Sequence, residues 1–335
     1  MTTMPKYSVI VPVYNRIDEV RDLLESLSAQ TRKDFEVIIV EDGSTEPCES
    51  TVRSFADRLN VSYYYKSNEG RSIARNYGID RSCGDYLIFF DSDCVIPANY
   101  FETLDKELTA NPLDCFGGPD AAHESFTPTQ KAISFAMTSF LTTGGIRGGK
   151  VQMEKFVPRS FNMGYSRKVY DSVGGFREMF SEDIDMSTRI RQAGFSIGLI
   201  RRAAVYHKRR IDLRKFWRQV HVFGMSRITL KLLYPDSLKL VHTLPALAVI
   251  IGVILVVLGI FVSPWWLLPI GVYLVALFIS ALISTRSIGI ALRAVPASVV
   301  QIAGYGTGFI RAFFTKILLG RGRDIEEEIA IRKGK

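Results

Sequence analysis

The stretch LIFFDSDC, Leu87 to Cys94, decides how this chain is read. Its four apolar residues have the length and composition of a buried strand. Two carboxylates, Asp91 and Asp93, follow with one serine between them. Residues two apart on a strand point to the same side. If that geometry continues past Phe90, both charges converge on one small volume, and a cation or protons must offset their repulsion. Taken alone, the triplet favours a plain polar turn with Ser92 and Asp93 as turn formers. The rest of the chain has to decide.

Upstream, YSVIVPV (Tyr7 to Val13), FEVIIV (Phe35 to Val40) and Val61 to Tyr65 read as three further strands. Asp18 to Gln30 sits between them with Val20, Leu23, Leu24 and Leu27 at helical spacing; Thr51 to Leu59 and Ser72 to Arg81 also read as helices. Strand and helix alternate, which predicts a parallel α/β sheet with right-handed crossovers. Such sheets bind ligands at the carboxyl ends of their strands. The polar signals fall there: Tyr14-Asn15-Arg16 after the first strand, Glu41-Asp42-Gly43-Ser44 after the second, Asp91-Ser92-Asp93 after the fourth. Further on, Phe161 to Phe176 reads as a short strand, a helix and a glycine turn. SEDIDMSTRIRQAG (Ser181 to Gly194) reads as a helix with Ser181 as N-cap and Gly194 as stop.

The chain has 335 residues, room for one large or two modest domains, and a formal net charge of +8. From Leu240 to Thr285 there is no Lys, Arg, Asp or Glu. Ser263-Pro264 divides that run into halves of about 20 residues, the length that spans a hydrocarbon core. Trp265-Trp266 sits at the break, where an interfacial aromatic anchor belongs. The reading is a transmembrane hairpin, helices about 240–262 and 265–285, with a weaker third segment about 295–318. Gly304 and Gly308 in that segment have the spacing of close helix packing. Ten Lys or Arg against the single acid Asp212 lie between Arg201 and Lys231. This positive excess just before the hairpin places the preceding domain on the cytoplasmic side of an inner membrane, against anionic lipid headgroups. Nucleic acid, the rival partner for a basic patch, is not expected beside such a hairpin. No secretory signal pattern precedes the first strand. Cys48, Cys83, Cys94 and Cys115 show neither paired nor metal-ligand spacing.

The set VPVYNR (Val11 to Arg16), VEDGSTE (Val40 to Glu46), GRSIARNYGI (Gly70 to Ile79), GDYLIFFDSD (Gly84 to Asp93), VGGF (Val173 to Phe176) and SEDIDMSTRIRQAG resembles family 2 glycosyltransferases. The resemblance covers roughly the first 210 residues, and the membrane-bound tail is similar to a bacterial subgroup building lipid-linked or exported glycans, succinoglycan-type glucosyltransferases included. It implies a GT-A, Rossmann-like catalytic domain at 1–210, a juxtamembrane amphipathic helix at 211–237, a transmembrane region at 238–320 and a charged tail at 321–335.

The resemblance also implies roles. Asp91-Ser92-Asp93 matches the family's DxD motif: Asp93 as direct ligand of Mg²⁺ or Mn²⁺, Asp91 on the ribose or on the metal through water, Ser92 beside the donor. Pro12, Tyr14 and Asn15 match the first nucleoside loop, Glu41 and Asp42 the second, and Arg75 and Asn76 residues near the nucleotide. Glu182-Asp183 matches the ED motif, with Asp183 as base toward the acceptor hydroxyl and Glu182 second; Asp185 is read as structural, paired with Arg189. Arg209 and Arg210 could contact the donor diphosphate, His207 the metal, and Asn162 and Arg147 the acceptor side. The QxxRW of processive synthases is missing from Arg214 to Arg227, which favours one sugar added per encounter. The implied activity is metal-dependent, inverting transfer from a nucleotide-sugar, with a uridine diphosphate donor in the first place, to a lipid-linked polyprenyl acceptor. Two alternatives stay open: a polyprenyl-phosphate sugar synthase, and a non-catalytic nucleotide-sugar-binding membrane scaffold.

Overall fold

The structure, a computed structural model, describes residues 6–121, 126–144, 156–207 and 212–320. In chain order these form β1 (Tyr7–Val13), α1 (Ile17–Ser28), β2 (Phe35–Asp42), α2 (Glu49–Arg53), β3 (Val61–Lys66), α3 (Arg71–Ile79), β4 (Tyr86–Phe89), β5 (Cys94–Val95), α4 (Tyr100–Ala110), β6 (Cys115–Gly117) and β7 (Asp120–Ala121). Then come α5 (Pro128–Thr138), α6 (Phe140–Thr143), β8 (Met163–Ser166), α7 (Arg167–Val173), α8 (Glu182–Gln192), β9 (Ile197–Leu199) and β10 (Val205–His207). The remainder is helical: α9 (Leu213–Leu233), α10 (Leu240–Phe261), α11 (Leu268–Thr285) and α12 (Ile288–Ala312), the last running on into a π-helical turn at Phe313–Leu318. The residues group into two compact units, 6–121 with 156–207, and 126–144 with 212–320.

The first unit is built on a seven-stranded sheet in the order β3-β2-β1-β4-β8-β6-β9. β1 to β4 are parallel as their alternation with helices predicts, whereas β8 runs antiparallel to both β4 and β6. Both faces of β1 are covered, so its apolar run is continuous rather than alternating. Val9, Val11 and Val13 pack with Val20, Leu23 and Leu24 of α1 on one side. Ile10 packs on the other with Ala74 and Ile79 of α3. Gly78 allows that approach, since a Cβ there would lie 2.6 Å from the Ile10 side chain. A second sheet of three short strands, β5-β10-β7, adjoins the DSD turn.

The second unit is a helical assembly around α12. The segment 126–144, expected inside a continuous 1–210 catalytic domain, belongs here instead. Ile133, Ala136 and Met137 of α5 are buried with Phe216 and Val220 of α9 and Ala297 of α12. α9, expected as a juxtamembrane amphipathic helix, has one face packed on α12. A Cβ on Gly224 would fall 2.0 Å from the Tyr305 carbonyl, and one on Gly308 2.0 Å from the His221 carbonyl, so the two backbones run in direct contact. Three helices, Leu240–Phe261, Pro264–Thr285 and Ile288–Leu318, are long and apolar enough to cross a membrane. The third begins seven residues before the segment read from the sequence at 295, a start masked by Arg293 and Pro296.

Candidate functional site

The strand β4 ends at Phe89, and the carboxylates after it do not continue in extended geometry. Asp91 to Cys94 form a turn closed by a hydrogen bond from the Cys94 N–H to the Asp91 carbonyl at 3.1 Å. The same-side argument for the pair is thereby corrected: the acids are presented by a turn, with Ser92 buried between them. Asp91 is 31% exposed at its side chain and accepts a hydrogen bond from Arg75 at 2.7 Å.

Arg75 is the centre of the site. Its side chain is fully buried, and it donates from its other terminal nitrogen to Glu182 at 2.9 Å. The guanidinium also lies 5.5 Å from the centre of the Phe176 ring. Glu182 is 2% exposed at its side chain; it accepts in addition from Arg71 at 2.8 Å and from the Ser160 hydroxyl at 3.3 Å. Its neighbour Asp183, 13% exposed, faces Arg159 at 3.3 Å and accepts from the Ile184 N–H at 2.8 Å. Three acids, Asp91, Glu182 and Asp183, are thus met by three arginines, Arg71, Arg75 and Arg159. Of the two acids of the DSD turn, Asp91 has its charge met by a guanidinium, and the planar fork of Arg75 binds one carboxylate at each arm, Asp91 and Glu182.

Helix α3 gives the arrangement its geometry. Arg71 and Arg75 are four residues apart and so share a face. The loop entering α3 is held by Asp42, which accepts from the Glu69 N–H at 3.0 Å, the Gly70 N–H at 2.9 Å and Lys66 at 2.9 Å. Gly70 has φ +106°, and a Cβ on it would lie 2.7 Å from the Glu178 carboxylate, which caps α3 through the Ser72 N–H at 3.1 Å. No other residue type combines that backbone with that space. On the far side, α8 carries Glu182 and Asp183 at its first turn, where acids complement the helix dipole. Ser181 stands at the N-cap as read from the sequence, but with φ +64° and without a side-chain hydrogen bond to the first turn; its carbonyl accepts from the Ile184 and Asp185 N–H groups. Gly194 does end the helix: its N–H bonds to the Arg191 carbonyl and that of Phe195 to Ile190, the Schellman pattern. Asp185 pairs with Arg189 at 3.0 Å, as its spacing predicts.

The other residues singled out from the sequence divide clearly. Pro12 stands in register with Val40 at the end of β1, and Tyr14 is 51% exposed beyond it. Asn15, at φ +52°, uses its side-chain oxygen to bind the Thr45 N–H at 2.9 Å and the Thr45 hydroxyl at 3.0 Å, joining the first loop to the second. Glu41 is fully buried and accepts from the Cys48 N–H at 2.8 Å, from Tyr63 at 3.3 Å and from the Ser44 hydroxyl. Burial, with the Glu41 carboxylate beside them, pushes the Cys48 thiol and the Tyr63 hydroxyl well above their ordinary values, so both stay protonated. Asn76, expected on the nucleotide, has its amide bound reciprocally to the Phe176 backbone at 2.8 Å each way; it anchors the VGGF turn. Asn162, expected on the acceptor side, is fully buried between the Tyr100 hydroxyl at 2.6 Å and the Ala203 carbonyl at 2.8 Å. Arg147, Arg209 and Arg210 lie outside the described residues, as does the side chain of His207. Arg71, Arg159, Ser160 and Glu178 were missed from the sequence. Only Arg71 carried a signal, its i,i+4 spacing to Arg75.

The geometry agrees with comparison to known proteins. Residues 8–174 match the model of glycosyl transferase family 2. An uncharacterized glycosyltransferase of Rickettsia bellii is 42% identical over 106 residues, 32% of this chain and 15% of that protein. Against this and two further Rickettsia relatives the chain spans 15% to 18% of their length. Glycosyltransferase AglE of Haloferax volcanii is 26% identical over 262 residues, 71% of this chain and 80% of its own length. Among solved structures, the mannosyltransferase PcManGT of Pyrobaculum calidifontis, in complex with GDP-Man and Mn²⁺, superposes with a TM-score of 0.58 at 17% identity, over 94% of this chain and 89% of that one. That likeness is one of fold, and the fold is GT-A. Through residues 8–174, with the Asp91 turn and the Glu182-Asp183 helix start joined by Arg75, the chain belongs to glycosyl transferase family 2.

Proposed function

We propose that the chain is a membrane-anchored, metal-dependent, inverting glycosyltransferase. It moves one sugar from a nucleoside diphosphate sugar, a uridine diphosphate sugar in the first instance, to a lipid-linked polyprenyl acceptor in bacterial glycan or exopolysaccharide synthesis. Its sheet unit works on the cytoplasmic face of the membrane. The observation that carries this reading is the Arg75 bridge between the Asp91 turn and Glu182, beside Asp183, in a family 2 domain.

Tyr14, exposed at the end of β1, offers a ring to the base, and Asp42 a carboxylate at the end of β2. Arg71 is half-exposed while Arg75 is sealed, so Arg71 is the cation free to exchange Glu182 for a diphosphate oxygen. Asp183, the more exposed of the two acids, takes the acceptor proton; Glu182, clamped by two arginines, holds them in place. Asp91 and Asp93 are the residues that would hold Mg²⁺ or Mn²⁺. Among the described residues no cluster of three or more His, Cys, Asp or Glu is arranged to hold an ion alone. A two-carboxylate turn nonetheless fits, because such ions take one or two carboxylates and complete their shell with substrate phosphates and water. Bound there, the ion would stabilise charge on the leaving diphosphate.

The test is nucleotide release from a panel of nucleotide-sugars by the detergent-purified chain, with a bacterial lipid extract and with Mg²⁺, Mn²⁺ or chelator. Chelator should abolish release and either ion restore it. Asp183→Asn should lower the rate by about 10²–10⁴-fold, the usual weight of a general base. Wild-type rates in both Asp93→Ala and Asp183→Asn would sink the assignment. One observation favours the second reading, a polyprenyl-phosphate sugar synthase. Both oxygens of Asp183 already accept hydrogen bonds, and the Arg159 beside it suits an anionic acceptor. A phosphate nucleophile has no proton to lose, so Asp183→Asn would then retain activity toward polyprenyl phosphate.

A further inference from the structure

Three helices of the second unit have the length and composition of membrane spans, but their mutual contacts are incompatible with three crossings. α12 touches α11 and α10 at opposite ends of itself. Its first turns, Ile290, Ala291 and Ala294, pack on Phe278, Ala281 and Leu282, the last turns of α11. Its last turns pack on the first turns of α10: a Cβ on Gly306 would meet the Pro245 carbonyl at 2.5 Å, and Phe309 is buried with Ala246. α10 and α11 are joined by the tight Ser263 to Leu267 turn, so if each crosses the bilayer, Leu240 and Thr285 emerge on the same side. Both ends of α12 are then on that side too.

The depths agree. Pro245 and Ala281 are each four to five residues inside their helix ends, about 6–8 Å at 1.5 Å per residue. That is the depth at which amphipathic helices lie in the boundary between headgroups and acyl chains. Between Ala294 and Gly306 α12 runs about 18 Å, the lateral distance from one helix of the hairpin to the other.

A second observation stands apart from the hairpin. α9 lies beside α12 over its whole length, from Phe216 and Val220 against Ala297, through Gly224 against Tyr305, to Thr229, which accepts from Lys316 at 3.0 Å. α9 carries Arg214, Lys215, Arg218, Arg227 and Lys231, and α12 itself Arg293 and Arg311. A crossing α12 would draw α9 and its charges to membrane depth with it. In the surface plane the same cations meet headgroup phosphates, and Leu292, Val299, Phe313 and Phe314, all exposed, meet acyl chains.

We infer that α12 does not cross the membrane. It lies in the membrane surface side by side with α9, the pair forms a basic platform for anionic lipid headgroups, and the chain crosses the bilayer twice, at α10 and α11. This rests on the reading of the chain as a membrane protein and not on its sugar chemistry, so it can fail while the transferase reading stands.

The test uses the full-length chain in cells, with Cys83→Ser removing the exposed native thiol, and an impermeant maleimide applied from one side. Asp236→Cys and Gly320→Cys are expected to label together, and Ser263→Cys only from the opposite side. Labelling of Gly320→Cys together with Ser263→Cys would mean three crossings and overturn the inference; labelling of all three together would overturn the hairpin crossing itself. Depth-dependent quenching of a fluorophore at Leu292→Cys, Val299→Cys and Phe313→Cys provides a separate reading on purified protein in vesicles containing anionic lipid. A surface helix gives one shared depth. A steady change of about 10 Å over each seven residues, the rise of a helix along the bilayer normal, would refute it.

Discussion

Replacing Arg75 by Met removes the one fully buried cation that the site's two halves share. Breaking a buried ion pair from one side costs roughly 3–5 kcal/mol, because the remaining charge is left uncompensated. Here Glu182 keeps Arg71 and Ser160, and Asp91, one-third exposed, can turn to water, which places the loss at the low end, about 3 kcal/mol. For a unit of this size that corresponds to a fall in midpoint of roughly 6–12 °C. The three tryptophans, Trp217, Trp265 and Trp266, all lie in the helical unit and would not report it. Cys48, Cys94 and Cys115 are buried in the sheet unit, so thermal exposure of thiols to a fluorogenic maleimide, in a Cys83→Ser background, reads the right transition. Adding Glu182→Gln should recover at least half of the loss, since the amide oxygen still accepts from Arg71, the amide NH2 can donate to the Ser160 oxygen, and no sealed carboxylate is left without Arg75. A cost below about 1 kcal/mol for Arg75→Met, the range of an exposed ion pair, or no recovery in the double variant, would refute the view that these charges act as one network.

Asn76→Ala deletes two hydrogen bonds to the Phe176 backbone and should cost about 2 kcal/mol at roughly 1 kcal/mol each; the same thiol-exposure midpoint measures it. Gly224→Ala places a methyl against the Tyr305 carbonyl, and overpacking of this kind typically costs about 1–3 kcal/mol; the helical unit's tryptophan fluorescence should show an earlier transition with the sheet unit unchanged. The Ser196 N–H and hydroxyl hold the Asp114 carboxyl below the usual carboxylate range. A depressed folded value means this contribution is complete above the free carboxylate value of about 3.9 and is lost as pH falls through the lower folded value. Asp114→Asn should therefore flatten the acid limb of stability below about pH 4, seen in midpoints taken from pH 3 to 6; an unchanged acid limb would contradict it.

The sequence shows the first half of the sheet because β1, β2 and β4 are β-branched or aromatic runs bounded by polar turns, and parallel strands covered on both faces need that composition. It does not show the antiparallel return of β8, nor that β6 and β9 pair, because three- and four-residue strands contribute no periodic signal and their partners lie 46 to 82 residues apart. Asp42, Asp91 and Glu182 stand out as acids, but whether an acid faces substrate or a neighbour's N–H is a question of distant partners. Asn76 and Asn162 show this most plainly. Each sits beside motif residues, and each has its amide bound to backbone or side chains 62 to 100 positions away, or 41 in the case of Ala203. The placement of α5 is hidden for the same reason: its apolar face matches a helix that follows more than 150 residues later.

That separation sets an order on synthesis. α5 emerges from the ribosome long before Ala297 of α12, the residue that closes over Ile133 and Met137. At roughly 5–20 residues per second the interval is about 8–30 s. During it the chain must complete β8 to β10 and produce the long apolar helices α10 and α11, while α5 finds Phe216 and Val220 of α9 about midway. The helical unit is therefore closed by its last-made helix, and a nascent chain stopped before residue 288 would carry α5 with its apolar face only half covered. Ribosome-bound chains of increasing length should then remain targets of holdase chaperones or proteases at α5 until α12 has cleared the exit tunnel.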